Sequence, residues 1–229
     1  MKRSEINEIM QEADAMIRRF GFVLPPFAYM PPLDLAEHVK AAPGIVSGRL
    51  GWDITDYGQG SFADLGLFLF TLRNGRLSDL QTGGGMCYAE KLLISRQDQI
   101  SPMHRHILKA EDIINRGGAT LAIELFGSDP AGGFDETAGG EVFCDGARKS
   151  FQPGDVLKLE PGESVTLMPG DWHAFWGDGG DVLIGEVSTV NDDETDNVFR
   201  EPIGRFSDIE EDVAPLHLLV SDYGRVFAG

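Results

Sequence analysis

Basic residues are scarce in this chain: 19 lysines and arginines face 37 aspartates and glutamates, a formal net charge of −18. That balance repels phosphate backbones and anionic lipid surfaces, which excludes nucleic acid and membranes as expected partners. Cysteine is scarcer still. Cys87 and Cys144 are the whole supply in 229 residues, a length that buries its own core without staples, so both read as reduced thiols. Long apolar runs are missing too, and Met1-Lys-Arg-Ser-Glu-Ile-Asn-Glu8 has no apolar stretch of a secretory signal. The expectation is a cytoplasmic protein that acts on a neutral or cationic small molecule.

Turn residues, by contrast, are plentiful, with 29 glycines and 12 prolines. Residues 4–20 read as an amphipathic helix, with Ser4 as N-cap and Gly21 as the stop. Ile6, Ile9, Met10, Ala13, Met16, Ile17 and Phe20 repeat at helical spacing, a stripe for a sheet or a partner subunit. Pro25, Pro26, Pro31 and Pro32 make the next segment an extended wrap, followed by a short helix from Asp34 to Ala41. From residue 50 short apolar runs recur: 65–72, 87–95, 120–126, 156–159, 164–167 and 182–190. Turn chemistry such as Gln152-Pro-Gly-Asp155, Glu160-Pro-Gly-Glu163 and Asp178-Gly-Gly-Asp181 separates them, the texture of an antiparallel sandwich or barrel. The expected organisation is an N-terminal helix and Pro-rich extension (1–48) packed on a mainly β barrel (49–229). Its acidic end, from Asn191, lies over the barrel or its mouth.

The chemistry concentrates in Pro102-Met-His-Arg-His-Ile-Leu-Lys-Ala-Glu111, answered about sixty residues later by Pro169-Gly-Asp-Trp-His173. On a strand, i and i+2 point the same way, so His104 and His106 can share one metal ion. Glu111 and His173 complete a set of three imidazoles and a carboxylate, suited to Mn, Fe, Co, Ni or Zn. Such a shell leaves coordination positions open, as a catalytic ion needs. His38 and His217 read as surface or packing histidines.

His104-x-His106-x4-Glu111-x6-Gly118 resembles the first cupin motif, and Pro169-Gly-x-x-His173 resembles the second. Asp98 stands where the first motif usually starts with glycine, and the asparagine usual after the last histidine is absent. Neither position is a ligand. The resemblance implies a double-stranded β-helix, a jelly-roll-like barrel with the ion in its mouth. Three wider strings are similar to the D-lyxose isomerase family of cupins: Tyr88-Ala-Glu-Lys-Leu-Leu-Ile94, Lys109-x-Glu111-Asp-Ile-Ile-Asn-Arg-Gly-Gly118, and Asn197-Val-Phe through Arg205-Phe-x-x-Ile-Glu-Glu-Asp212. That likeness implies a manganese-dependent aldose–ketose isomerase acting on D-lyxose and D-mannose, giving D-xylulose and D-fructose.

Such a reaction moves a proton between C2 and C1 and another between the two oxygens. A divalent ion near those oxygens stabilises the charge of the enediolate, and a carboxylate and a second acid–base group carry the protons. Lys109 holds a position that is lysine in the family. It faces away from His106 on a regular strand, so a bend is required to bring it in. Glu210 and Glu211 are the leading carboxylates, from the string shared with the family. Glu186 competes, as an acidic residue on the apolar face of a strand, with Lys91 as its partner or a substrate contact. Trp172 and Phe175 flank His173 and can stack on sugar C–H faces or pack at the rim. Asp192, Asp193, Arg200 and Arg205 can reach distal hydroxyls or form surface pairs.

Two other readings share the metal shell. An iron-dependent cupin dioxygenase needs an apolar pocket, whereas an isomerase needs proton-transfer groups around the ion. A non-catalytic sugar-binding cupin needs no intact ligand set. The N-terminal helix and Pro-rich wrap also make a homodimer the expected assembly.

Overall fold

The computed structural model describes residues 1–227. Helix α1 spans Arg3–Arg19 and buries Ile6, Ile9, Met10, Ala13, Met16 and Ile17. These pack on Trp52, Phe68, Phe70, Leu92, Ile94 and Leu183. Each large side chain contributes about 1.5–3 kcal/mol by burial, so a charge in place of the fully covered Ile6 or Ile17 would detach the helix. The stripe is thus covered by the chain's own sheet, which takes away half of the argument for a dimer. Gly21, at φ +79°, ends the helix as expected. Its N–H donates to the Arg18 carbonyl, and the Phe22 N–H reaches back to Ile17. The start differs. Lys2 holds the cap position without a side-chain bond. Ser4 caps nothing: its N–H and hydroxyl both donate to the Asp212 carboxylate, at 2.9 and 2.6 Å.

Short helices α2 (Pro32–Ala41) and α3 (Gly44–Ser47) follow. Helix α2 begins two residues earlier than the sequence indicates, because proline suits the first helical position. The strands are β1 (Gly51–Thr55), β2 (Leu67–Asn74), β3 (Tyr88–Ser95), β4 (Ser101–His106) and β5 (Glu111–Phe126). Then come β6 (Gly140–Cys144), β7 (Ala147–Phe151), β8 (Asp155–Leu159), β9 (Ser164–Leu167), β10 (Trp172–Thr189) and β11 (Asn197–Phe199). The short α4 (Leu77–Thr82) joins β2 to β3, and α5 (Tyr223–Val226) closes the described chain.

One layer runs β1-β2-β3-β10-β5-β9-β6-β7, while β4 and β11 extend from β10 and β8 from β5. Two long strands serve both layers. Residues 182–189 of β10 pair with β3, and its beginning pairs with β4 through His173 and His104. Strand β5 gives residues 111–114 to β9 and 121–125 to β8. Where the two strands cross between layers the register shifts, between Asp178 and Val182 and again after Leu183. A Cβ on Gly118 there would sit 2.2 Å from the Asp181 carbonyl oxygen. Asp178-Gly-Gly-Asp181 is therefore a bulge inside β10, not a divider between strands. The jelly-roll-like barrel is the expected one. The β6–β7 hairpin carried no apolar run because its side chains are mostly exposed. Its signal was Asp145-Gly146, both at positive φ in a two-residue turn. Among the described residues, no helix is long and apolar enough to cross a membrane.

Candidate metal centre and its charged cavity

Strand β4 directs His104 and His106 to the barrel interior, and β10 presents His173 opposite His104. The three imidazoles each have a ring nitrogen within 4.8 Å of the others. His104 and His173 are bonded at Nδ1 to the carbonyls of Pro102 (2.8 Å) and Asp171 (3.0 Å). Those bonds put the ring protons on Nδ1 and leave Nε2 with a free lone pair, as a metal ligand requires. Glu111 opens β5 and brings Oε1 to 3.3 Å from His106 Nε2 and 3.2 Å from His173 Nε2.

The fit to a cation rests on what is left over. Both ring nitrogens of His106 and Oε1 of Glu111 are buried and lack any hydrogen-bond partner. Leaving such atoms unsatisfied costs roughly 1–3 kcal/mol each. One divalent ion would satisfy the facing pair with the ligand types it prefers. Burial, with the neighbouring imidazoles His173 and His106, holds the His104 pKa well below the ordinary histidine value. Burial and then Lys109 lower that of His106. Neutral imidazoles are the ligand form.

Lys109 is brought in by the required bend. After His106 the chain turns, and the Asp196 carboxylate collects three successive N–H groups, from Ile107 (2.9 Å), Leu108 (2.7 Å) and Lys109 (2.9 Å). Ile107 and Leu108 are left exposed and Lys109 points inward, 3% exposed. Its Nζ lies 2.7 Å from Glu111 Oε2 and 2.9 Å from Glu186 Oε1. Glu186 also pairs with Lys91 at 3.2 Å, and Lys91 donates to Asn191 Oδ1 at 2.7 Å. Burial works against the charge on Lys109, but Glu111 and Glu186 outweigh it and raise its pKa. Burial likewise opposes charge on Glu186, and Lys109 and Lys91 prevail, lowering its pKa from the ordinary glutamate value.

Phe175 shares the inward face with His173 and lines the same cavity, together with Tyr57, Asp193 and Arg205. Arg205 is no surface residue. It is paired with Asp53 at 2.7 Å and Asp193 at 3.3 Å, with 11% of its side chain exposed. Trp172 is not brought to the cavity. One residue before His173 on a strand, it faces the other way, edge-on to Phe134 with the Arg105 guanidinium above its ring. Arg200 is likewise elsewhere, on Glu136 and over the Phe134 ring. Asp192 turns back on Thr195.

The largest correction concerns Glu210 and Glu211. Glu211 grips Arg3 through both oxygens, at 2.8 and 2.7 Å, and is bonded to Arg225 at 2.9 Å. Glu210 pairs through its backbone with Met1 and Arg3. Neither residue lines the metal cavity. Their string fastens the C-terminal segment to α1, and its charge is absorbed there. His38 is exposed on α2, while His217 stacks on Trp52 with ring centroids 5.8 Å apart. Cys87 and Cys144 are both free thiols.

The sequence reading missed Asn191, Asp53, Tyr57 and Asp196. Asp53 alternates with Trp52 and Ile54 on a short strand, a buried-acid signal of the kind that singled out Glu186. Asp98, where glycine is usual, has φ +59° with its N–H donating to the Gly177 carbonyl. The position demands a left-handed backbone, which aspartate tolerates better than most residues.

The D-lyxose isomerase family profile matches residues 1–223. The chain is 46% identical over 232 aligned residues to the D-lyxose/D-mannose isomerase of Serratia proteamaculans, with both chains covered completely. It is 42% identical to the protein of the same name from Escherichia coli O157:H7, covering 97% of this chain and 98% of that one. Among solved structures, Acinetobacter sp. DL28 L-ribose isomerase in complex with L-ribose superposes with a TM-score of 0.58 at 16% identity. Cellulomonas parahominis L-ribose isomerase with L-psicose gives 0.56 at 16% identity. Each superposition covers 92% of this chain and 98% of the other, and these two likenesses carry the fold alone.

Proposed function

This chain belongs to the D-lyxose isomerase family, and from that premise we propose that it interconverts D-lyxose with D-xylulose and D-mannose with D-fructose at the cavity described above. The observation that carries the reading is a buried, ion-paired trio, Lys109, Glu186 and Lys91, built beside three convergent histidines and Glu111. A pocket that protects an iron–oxygen species has no need of buried ion pairs at its metal end, and here Lys109, Glu186 and Lys91 stand there beside the apolar walls. His104, His106, Glu111 and His173 would hold the ion, manganese in this proposal. When bound, that ion supplies positive charge where negative charge develops on O1 and O2.

The chain's own residues divide the remaining work. Glu186, kept ionised between two lysines, accepts the proton from one carbon and returns it to the next. In the aldose-to-ketose direction Lys109 gives a proton to O1 and recovers one from the O2 hydroxyl, ending charged as it began, while Lys91 donates an N–H bond beside it. Asp196 holds Lys109 in place by fixing the backbone before it. Incubation of manganese-loaded protein with D-lyxose and D-mannose tests the proposal, with the ketose products read by chromatography. Formation of D-xylulose and D-fructose is expected. Binding of either aldose without any ketose would favour the non-catalytic reading instead.

A further inference from the structure

Arg205 is pinned on one side only. Its Nη2 donates to Asp53 Oδ2 at 2.7 Å and lies 3.3 Å from Asp193 Oδ1, and its Nε reaches Asp193 at 3.4 Å. The guanidinium lines the cavity, yet its Nη1 is buried without a partner. A guanidinium presents its donors in a rigid planar fork, so fixing Nε and Nη2 fixes the direction of Nη1. A buried donor without an acceptor is rare in a native fold and calls for an explanation, here an acceptor that arrives with the ligand.

A chain of polar contacts links Arg205 to the metal end, partly behind the cavity wall. Arg205 pairs with Asp193; Asp193 accepts from Asn191 Nδ2 at 2.9 Å. Asn191 Oδ1 lies 3.4 Å from Lys109 Nζ, which contacts Glu111 at 2.7 Å. The side chains of Tyr57, Leu67, Leu69, Leu93 and Phe175 supply apolar surface to the same cavity. A strip of donors and acceptors beside apolar walls matches an extended polyol, whose hydroxyls need partners and whose C–H groups do not.

Resting on the isomerase reading, we propose that Arg205 Nη1 anchors the hydroxyl at the far end of the open-chain sugar while O1 and O2 occupy the metal end. Asp53 and Asp193 already neutralise the guanidinium, so this end is built for a neutral group. A hydroxyl both accepts and donates, and Asp53 Oδ1, buried and equally unpartnered, can take its hydrogen. Arg205 and its two aspartates then set how long a sugar the site prefers.

Titration calorimetry with non-reacting polyols tests this without turnover. Manganese-loaded wild type should bind D-mannitol about 10-fold more tightly than the shorter erythritol, the scale of one charge-assisted hydrogen bond. In Arg205→Lys, which keeps a cation between the aspartates but lacks Nη1, erythritol affinity should hold and the D-mannitol advantage should vanish. Absence of D-mannitol binding, an undiminished advantage in the variant, or equal loss for both polyols overturns the anchor. If Arg205→Lys does not fold, a crystal structure of wild type with D-mannitol decides. A terminal hydroxyl bonded to Nη1 supports the proposal, and one placed elsewhere refutes it. A protein that shows the polyol pattern but isomerises no aldose would defeat the functional reading and leave the anchor standing.

Discussion

Arg3 and Lys109 are both buried cations, 0% and 3% exposed, each held by two carboxylates. Around Arg3 every nitrogen is engaged. Nε and Nη2 take Glu211, and Nη1 and Nη2 take Asp222 at 3.1 and 2.9 Å. Around Lys109 the ion pairs are as short, but His106 and Glu111 beside it keep buried atoms without partners. A saturated cluster has nothing to offer a ligand and works as a fastening between α1 and the C-terminal segment. An unsaturated one is held in readiness. In the sequence both are merely charged residues close to apolar ones; the difference lies in the leftover valence, which only the assembled fold reveals.

The unsaturated cluster is most sensitive at His106. His106→Ala should abolish turnover and bound metal together while circular dichroism stays unchanged, and metal content by mass spectrometry reads it directly. Glu186→Gln should lower kcat about 10²–10⁴-fold, the usual worth of a general acid–base group, with metal content intact. Turnover near wild type would hand the proton-carrying role to another carboxylate.

The fastening should respond in the opposite currency. Arg3→Ala removes the main cation from buried Asp222, which keeps Arg225 at 3.2 Å and the Leu219 N–H at 2.9 Å, and should cost about 3 kcal/mol of stability in denaturant titrations while kcat holds. Glu211→Gln is milder, about 1 kcal/mol, because that side chain is 35% exposed and screened by solvent. The hydrogen bond from Arg3, then Arg225, holds the Glu211 carboxyl at about 2 against an ordinary 4.5. A depressed acid stabilises the fold fully above its unfolded value and loses that contribution as pH falls toward its folded value. The stability gap between wild type and Glu211→Gln should therefore close between pH 4.5 and about 2. A gap that persists at pH 2 would mean that the carboxylate charge is not what fastens α1.

The convergence of the three histidines was legible because its signals are local. Alternation along a strand aligns His104 with His106, and Pro169-Gly170 marks the turn before His173. There the Gly170 N–H donates to the His106 carbonyl at 3.0 Å, tying the two halves together. Strand runs were legible for the same reason, by period and punctuation. Lys109 was legible only as a conflict, since regular alternation turns it outward and its inward course depends on Asp196, 87 residues away. Asn191 gave no signal at all. Its backbone is locked by Asn74 through two bonds, N–H to Oδ1 at 3.0 Å and Nδ2 to carbonyl at 2.9 Å. No spacing rule connects residues 117 apart. Glu211 misled because an acidic string shared within a family can be kept for attachment as readily as for chemistry.

Strand β10 carries His173 near its start and Glu186 near its end, in two different layers, with the Gly179-Gly180 bulge between them. The interval between the histidine cluster and the buried Glu186–lysine group is thus measured along one length of backbone, like a caliper with a single adjustable joint. One residue inserted at that joint would turn Glu186 to the outer face and away from Lys91, because side-chain direction alternates. Two would restore its direction but displace it by roughly 7 Å along the strand. A change in the length of this bulge therefore shifts Glu186 relative to His173 in steps of two residues while the histidines stay where they are.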